Sequence, residues 1–382
     1  MNNSEIMFFL HSIKGIGRKT VANLMEYFGN IQAVYHAPEN ELKKILKPTQ
    51  FRMFIKGREE RCPKEERKEL EKKGIRYYSI FDEDYPKRLL ETADAPMGLF
   101  VKGNLPQEDE LTVSVVGTRR HSYYGEKQTK EFSRMIASLG IPVVSGMARG
   151  IDGIAQKTTI ESGGRTYAVL GCGVDVCYPE EHFKLYEQIP KCGGIISEYF
   201  PGTQPAAGLF PLRNRIISAL GDILLVMEAR EKSGTLITVD MALEQGKEIW
   251  VLPGRVDDVL SVGCNRLIAQ GAYILPAVPD FKEELLGLYE KYHKSKPDSA
   301  QSREAKAEYV PGCIGNTDSL TDLEKAIASV LDYKPLSLTS IYESLDTESR
   351  MQYPISQVSV TLIHLCMKNL AKQVGTGYYT KC

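Results

Sequence analysis

Short apolar segments alternate with amphipathic segments through the middle of the chain, from about residue 112 to residue 278. The apolar segments lie at residues 113–117, 142–146, 166–171, 194–199, 222–229, 248–254 and 272–275. Because they are apolar at nearly every position, they are typical of parallel strands that are covered on both faces. The segments between them, such as residues 126–140 and 237–246, have the spacing of helices. This alternation predicts an α/β fold with a Rossmann-like, doubly wound, mostly parallel sheet and right-handed crossovers.

The pattern changes towards both ends of the chain and divides it into four predicted segments. Residues 1–75 have helical spacing with glycine and proline between the helices, which predicts a helical domain of the SAM or helix-hairpin-helix kind. Residues 76–285 add one or two short strands to the central sheet and form an extended Rossmann-like domain. Residues 286–317 are polar and predict a linker. Residues 318–382 predict three helices and a hairpin that turns at Gly375 or Gly377, which together make a winged-helix domain.

The composition is typical of an ordinary globular protein and does not by itself indicate a function. The 382 residues are 42% hydrophobic and 25% charged, as in ordinary globular proteins, and no apolar run is long enough to cross a membrane. The first residues lack a basic stretch, so we expect no signal peptide. The eight cysteines form no CxxC pair, which predicts reduced thiols in the cytoplasm and no metal site. The net charge of −1 argues weakly against a nucleic-acid binder, but phosphate binding needs only a local cluster.

Basic and small residues follow several of the predicted strands. Ligands of such sheets gather at the carboxyl ends of the strands, where small residues let backbone amides approach and basic residues supply charge. We call these residues the basic rim: Gly117, Thr118, Arg119, Arg120, Gly146, Arg149, Lys232, Ser233, Gly234 and Thr235. They predict a site for the phosphates of a chain, with no cofactor implied. The alternative is that the glycines only make tight turns and the arginines are solvated surface charges.

Residues 210–222 predict a helix that adds to the basic rim. Arg213 and Arg215 flank Asn214 at its expected start, where cations oppose the helix dipole, so their presence favours an anionic ligand. Leu212, Ile216 and Ile217 are expected on its buried face. Phe210 is placed to stack on a nucleobase, or alternatively to pack against the rim of the sheet.

A second candidate for phosphate binding lies near the N-terminus. Gly15 and Gly17 form the turn of a helix-hairpin-helix pattern, which exposes backbone amides at the start of the next helix. Lys14, Arg18 and Lys19 add positive charge to it. The alternative is a helical protein–protein module with a glycine turn.

Seven motifs in order make the chain resemble the DprA (Smf) family of DNA-processing proteins. They are VVGTRR at 115–120, VVSGMARGIDGIA at 143–155, AVLGCGVDVCYP at 168–179, ISEYFPG at 196–202, FPLRNRIISAL at 210–220, KSGTLIT at 232–238 and GCNRLIAQGA at 263–272. The resemblance implies a homodimeric, non-enzymatic protein that binds single-stranded DNA and passes it to the RecA recombinase during natural transformation.

The resemblance also assigns residues to roles. Arg119 matches the arginine of the family's GSR motif, Arg213 to Arg215 match its RNR motif, and residues 232–235 match its KSGS motif. The dimer and RecA surface is expected on a helix near the end of the core, at Asn265, Leu267, Ile268, Ala269 and Gln270.

The chain departs from the family pattern at a few positions. Gln156 stands where the family commonly has histidine, and Cys264 where it usually has threonine. Arg350 is the only basic residue in or near the expected recognition helix of the winged-helix domain. For that domain, a protein-contact or regulatory role is therefore as plausible as reading duplex DNA.

Three enzyme classes compete with this interpretation. Nucleotide-cleaving phosphoribohydrolases of the lysine-decarboxylase-like type share this variant of the fold, but they need a catalytic glutamate about where Ile237 and Thr238 stand. An NAD(P)-dependent oxidoreductase is disfavoured because the chain lacks GxGxxG. A serine hydrolase built from Ser145, His182 and Asp175 would lack the GxSxG elbow.

Overall fold

The structure is a computed structural model that describes residues 1–294, 321–331, 336–368, 370–375 and 378–381. The chain divides into two compact units, Met1–Pro297 and Asp298–Cys382. Most of the predicted linker, from residue 295 on, lies outside the described residues. No helix within the described ranges is both long and apolar enough to cross a membrane.

Six helices form the N-terminal part of the first unit. They are α1 (Asn3–Ser12), α2 (Arg18–Phe28), α3 (Ile31–His36), α4 (Glu39–Ile45), α5 (Pro48–Glu60) and α6 (Pro63–Lys72). The Asn2 side chain accepts a hydrogen bond from the Glu5 amide, and the Glu5 side chain accepts one from the Asn2 amide, so the first helix starts with a capping box. Phe9, Leu24 and Phe54 are buried between these helices.

A nine-stranded sheet follows, with helices between its strands. Its strands are β1 (Ile75–Ser79), β2 (Gly98–Gly103), β3 (Val113–Val116), β4 (Val143–Ser145), β5 (Thr166–Val169), β6 (Gly194–Ser197), β7 (Ile223–Val226), β8 (Glu248–Val251) and β9 (Tyr273–Ile274). Their order is β1-β2-β6-β5-β4-β3-β7-β8-β9, with parallel pairing from β6 to β9 and antiparallel pairing for β1 with β2 and β2 with β6. The predicted α/β fold with a mostly parallel sheet is confirmed.

Helices cover both faces of this sheet. They are α7 (Lys87–Leu90), α8 (Tyr123–Ser138), α9 (Ile151–Glu161), α10 (Phe183–Cys192), α11 (Leu209–Leu220), α12 (Gly234–Glu244), α13 (Val262–Ala269) and α14 (Val278–Lys294). Successive strand residues point to opposite faces, so Val226 packs with α11, α12 and α13 while Leu225 packs with α8, α9 and α14. The strands are apolar throughout because each face is covered by a layer of helices.

The described residues of the second unit form four helices and a three-stranded sheet. The elements are α15 (Asp322–Val330), β10 (Leu336–Ser337), α16 (Leu338–Ser344), α17 (Thr347–Gln352), α18 (Ile355–Met367), β11 (Ala371–Gly375) and β12 (Tyr378–Lys381). One helix more than predicted is present because Asp346 caps α17 in a stretch that lacked helical spacing. The strand order is β10-β12-β11, and Gly377 lies outside the described residues. The winged-helix interpretation remains a prediction.

The N-terminal helices dock on the sheet through a half-buried histidine. His11 of α1 lies 3.1 Å from the Tyr77 hydroxyl, measured from its Nδ1, and its ring contacts Phe100 and Phe200. Burial lowers the pKa of His11 to about 4, and a hydrogen bond with the Glu198 backbone opposes that shift in part. The neutral ring therefore belongs to the folded state near pH 7.

We expect this histidine to make the fold acid-sensitive. Its pKa is lowered in the folded chain, so from about pH 6.5 down to about 4 only the unfolded chain takes up the proton, and stability falls as the pH falls. Between these pH values, His11→Gln should lose about 2 kcal/mol less unfolding free energy than the wild type. Urea titrations at several pH values measure the unfolding free energy of both proteins. The exposed His36→Gln should keep the wild-type profile, and an unchanged profile for His11→Gln would contradict the assignment.

Candidate functional site

A pocket of about 740 Å³ opens at the carboxyl ends of β3 and β7. It brings together residues that lie far apart in sequence and that the sequence analysis had singled out. These are Gly117, Thr118, Arg119, Arg120, Phe210, Arg213, Asn214, Lys232, Ser233, Gly234 and Thr235. Gly146 and Arg149 line a smaller slot of about 30 Å³ next to it, and Arg215 lines neither cavity.

Four cations in the pocket are exposed and have no carboxylate partner in the described part of the chain. They are Arg119 and Arg120 after β3, and Arg230 and Lys232 after β7. Arg230 was not assigned to the site from the sequence, although its place at a strand exit was the available signal. Cations without carboxylate partners are available to bind anions. This pocket is therefore positive although the whole chain carries a net charge of −1.

Close packing of two loops shapes the pocket wall. A Cβ at Gly117 would lie 2.6 Å from the Ile151 side chain, so glycine is required for β3 to end against the start of α9. Gly150 has φ of 77°, and a Cβ added to it would lie 2.3 Å from the Thr118 carbonyl oxygen. The two glycines thereby bring the β3 exit and the first turn of α9 to the same wall.

The start of α12 lies in the same pocket beside the cations. Ser233 caps this 11-residue helix and accepts a hydrogen bond from the Thr235 amide at 3.2 Å. Lys232 precedes the cap. A helix N-terminus with an adjacent lysine favours a bound anion, and a phosphate fits both features.

Arg213 occupies the floor of the pocket and is only 4% exposed. It donates to the carbonyl oxygen of Gly146 at 2.8 Å and to that of Val169, and its Nε has no partner among the described residues. Burial lowers the pKa of Arg213 to about 10, while the nearby Asp152 carboxylate opposes that shift. Burial also raises the pKa of Asp152. Arg213 is therefore part of the framework of the pocket.

Two expectations about this helix were wrong. Because α11 begins at Leu209, Arg213 and Arg215 lie in its second turn, so the argument from the helix dipole does not apply to them. Leu212 was expected on the buried face, but its side chain is 53% exposed, whereas Ile216 and Ile217 are buried as expected.

Arg215 and Arg149 are held by carboxylates. Arg215 donates its Nε to Asp94 at 3.0 Å and its Nη1 to Glu198, on the side of α11 away from the pocket lining. The Arg149 Nε lies 2.8 Å from Glu181. These carboxylates offset much of the charge that the two arginines would offer to a phosphate.

The N-terminal hairpin has the predicted local structure. Gly15 has φ of 89° in the turn, and Gly17 is the N-cap of α2. Lys14 and Lys19 are exposed, whereas Arg18 lies 3.6 Å from Asp94 and donates to the Ala93 carbonyl. None of these residues lines the pocket, so the hairpin remains a separate candidate.

Two aromatic rings stand at the edge of the pocket. The Phe210 ring centroid lies 5.3 Å from that of Tyr178, with the planes tilted by 32°. The Arg119 guanidinium carbon lies 5.7 Å from the Phe210 centroid. Tyr178 was not assigned to the site from the sequence, although it lies in the motif AVLGCGVDVCYP at 168–179.

The residues of the predicted dimer and RecA surface on α13 differ in how exposed they are. Asn265 is a structural residue that bonds the backbone of Gly254, and Leu267 and Ile268 are partly buried against the core. Ala269 and Gln270 are exposed. The edge strand β9 lies nearby, where Tyr273 and Ile274 are about half exposed.

The catalytic alternatives find little support in the geometry. The Ser145 hydroxyl donates to the Val115 carbonyl, and Nδ1 of His182 faces the Met147 carbonyl, so the two are not paired with each other. Glu198 is bound to Arg215. The described residues contain no cluster of three or more histidine, cysteine, aspartate or glutamate side chains that could hold a metal ion.

Comparisons with known proteins all point to one family. A family model described as DNA recombination-mediator protein A matches residues 76–286. Protein Smf of Escherichia coli is 42% identical over 204 residues, which are 53% of this chain and 54% of that protein. Protein Smf of Synechocystis is 34% identical over 283 residues, covering 72% of this chain and 71% of that protein.

Two solved structures resemble the chain. DNA processing protein A from Streptococcus pneumoniae is 33% identical, with a TM-score of 0.64, and the match covers 74% of this chain and 98% of that one. The second is DNA processing protein A from Helicobacter pylori, reported for its single-stranded DNA binding mode. It is 31% identical, with a TM-score of 0.51, and the match covers 56% of this chain and 97% of that one.

The buried position of Arg213 predicts an effect on stability. Arg213→Met leaves two carbonyl oxygens and the Asp152 carboxylate without their partner, so we expect the free energy of unfolding to fall by about 3 kcal/mol. Urea unfolding measures the loss. The exposed Arg119→Met should change stability by less than about 0.5 kcal/mol. Equal stability of the two variants would contradict the framework role of Arg213.

Proposed function

Because the chain belongs to the DNA recombination-mediator protein A family, we propose that it binds single-stranded DNA in the pocket at the ends of β3 and β7. The observation that carries the proposal is the set of four cations without carboxylate partners, Arg119, Arg120, Arg230 and Lys232, around one pocket. The H. pylori relative, described as binding single-stranded DNA, supports the choice of ligand.

The geometry suits a strand bound without regard to its sequence. The exposed guanidinium and ammonium groups and the start of α12 contact phosphates, which are the same in every nucleotide. The two aromatic rings at the edge of the pocket can stack on a base, and every base has a face that can stack. Asn214 and Thr235 line the same pocket and add hydrogen-bonding groups.

We further propose that the bound strand is protected and passed to the RecA recombinase during natural transformation, in the cytoplasm. The description of the matching family as a recombination mediator supports this role. A homodimer through the sheet edge is part of the same proposal. The exposed edge strand β9, which pairs with β8 on one side only, and the neighbouring α13 support it, because an apolar sheet edge is a common pairing surface.

We propose a binding protein in preference to a nucleotide-cleaving enzyme. Ile237 and Thr238 line the pocket at about the position where a phosphoribohydrolase needs its glutamate. Asp152 lines it as well, but this carboxylate is buried, accepts a hydrogen bond from the Gly146 amide, and serves as the counter-charge of Arg213. Its contacts give it a structural role.

Charge reversal in the pocket tests the proposed function. Arg119→Glu and Lys232→Glu should each weaken binding to an oligo-dT 20-mer by more than about 10-fold, and should make binding less salt-dependent because phosphate contacts are lost. Fluorescence anisotropy at several salt concentrations measures both effects.

Arg134→Glu is the matched control. Arg134 is an exposed arginine on α8 outside the pocket lining, so this variant should bind like the wild type. Equal losses in all three variants would point to nonspecific attraction and contradict the pocket. Release of free base from nucleoside monophosphates by the purified protein, lost in Asp152→Asn or Glu198→Gln, would favour the enzyme.

The proposed dimer has its own test. Ile274 is 54% exposed on the edge strand, and Ile274→Asp places a charge where two apolar edges would meet, so we expect it to shift the protein from dimer to monomer. Sedimentation velocity measures the mass. Leu90→Asp, at an exposed leucine on α7, should leave the dimer intact. An unchanged mass for Ile274→Asp would exclude this edge as the interface.

A further inference from the structure

Glu228 is a buried acidic residue just beyond the carboxyl end of β7. Its side chain is only 1% exposed and lines neither the pocket nor the adjoining slot. Burial raises the pKa of the Glu228 carboxyl, and hydrogen bonds from Ser122 oppose that shift. A buried acid is costly unless its oxygen atoms are hydrogen-bonded, so the contacts of Glu228 show what it does in the fold.

Glu228 holds both ends of the loop that follows β3. Its backbone carbonyl accepts a hydrogen bond from the Thr118 amide at 2.9 Å. Its carboxylate accepts one hydrogen bond from the Ser122 amide at 2.9 Å and another from the Ser122 hydroxyl. The loop between these two attachment points carries the exposed Arg119 and Arg120. Two of the four pocket cations therefore lie between contacts to a single buried residue.

The first turn of α8 accommodates the Glu228 carboxylate closely. A Cβ at Gly125 would lie 2.3 Å from Oε2 of Glu228, so glycine is required there for the carboxylate to approach. Ser122 is the N-cap of α8, and its hydroxyl also accepts a hydrogen bond from the Gly125 amide at 3.0 Å. The dipole of this 16-residue helix favours an acid at its N-terminus. The start of α8 therefore has the shape and the charge to hold Glu228.

We propose that Glu228 is a positioning residue that holds Arg119 and Arg120 in place to contact the phosphates of the bound strand. The proposal rests on single-stranded DNA binding as the proposed function. A loop that is fixed beforehand loses less conformational freedom when the strand binds, so its arginines bind more tightly. Charge alone predicts the opposite effect, because removing an acid from beside a cationic pocket strengthens its attraction for a polyanion. The two explanations therefore predict changes of opposite sign when Glu228 is truncated.

A double-mutant cycle tests the proposal, with affinity for an oligo-dT 20-mer measured by fluorescence anisotropy. Glu228→Ala frees the loop and should weaken binding by about 5-fold. In a chain that carries Arg119→Met and Arg120→Met, the same truncation should change the affinity by less than about 2-fold, because the residues through which it acts are gone. In a chain that carries Arg230→Met and Lys232→Met, its full effect should remain.

Three further variants separate positioning from a general loss of structure. Glu228→Gln keeps an oxygen for the Ser122 amide, and its own amide can donate to the Ser122 hydroxyl, so its affinity should stay within about 2-fold of the wild type. Glu110→Ala is the matched control, because it removes another partly buried acid, bound to Arg165 at 2.6 Å and outside the lining of both cavities. It should bind like the wild type. If Glu228→Ala does not fold, Ser122→Ala weakens the same contact and should reduce affinity by about 3-fold, again only while the two loop arginines are present.

Binding by Glu228→Ala that equals or exceeds that of the wild type would overturn the proposal. So would an equal loss with and without the two loop arginines, because Glu228 would then act through the fold as a whole. If the wild-type protein does not bind oligo-dT, the proposed function fails and this inference fails with it. That result is distinct from the other two, in which the wild type binds.

Discussion

The pocket depends on one buried cation. Arg213 extends from α11 to Gly146, just beyond the end of β4, and to Val169, at the end of β5, with Asp152 of α9 as its counter-charge. A guanidinium taken out of water is tolerated only where its hydrogen bonds and counter-charge are in place. The arrangement therefore fixes α11 and α9 relative to two strands. Since α11 also carries Phe210 and Asn214, the exposed wall of the pocket is positioned through this buried network.

Other basic side chains separate into two groups by their partners. Arg149, Arg215 and Arg266 face carboxylates within ion-pair distance, at Glu181, Glu198 and Glu231 respectively. The four cations of the pocket have no such partner among the described residues. Paired charges contribute little to the long-range field, so the pocket stays positive in a chain whose charges nearly cancel. Net charge was therefore a poor guide to the ligand.

The strands could be predicted because their apolar runs are a direct consequence of burial on both faces, and the predicted exits of β3 and β7 do lie in one pocket. The start of α11 could not be predicted from the sequence. Pro211 is favoured at the first position of a helix, but α11 begins two residues earlier, at Leu209, and Gly208 gives no side-chain cap to mark it. Arg213 was expected at the start of the helix as a ligand residue, whereas it lies in the second turn and is buried. Nor does sequence spacing show which carboxylate will pair with which arginine, because Glu198 and Asp94 reach Arg215 only through the fold.

The loop that supplies two of the pocket cations is also tied to α13. A Cβ at Gly263 would lie 2.5 Å from the Arg230 carbonyl, so the first turn of α13 packs directly on the backbone that carries Arg230. One residue further along, Glu231 accepts a hydrogen bond from Arg266 of α13 at 2.6 Å. The positions of Arg230 and Lys232 therefore depend on α13 as well as on β7. A strand held by these cations lies beside the element that borders the exposed sheet edge, and this places the proposed DNA site and the proposed partner surface on one continuous piece of structure.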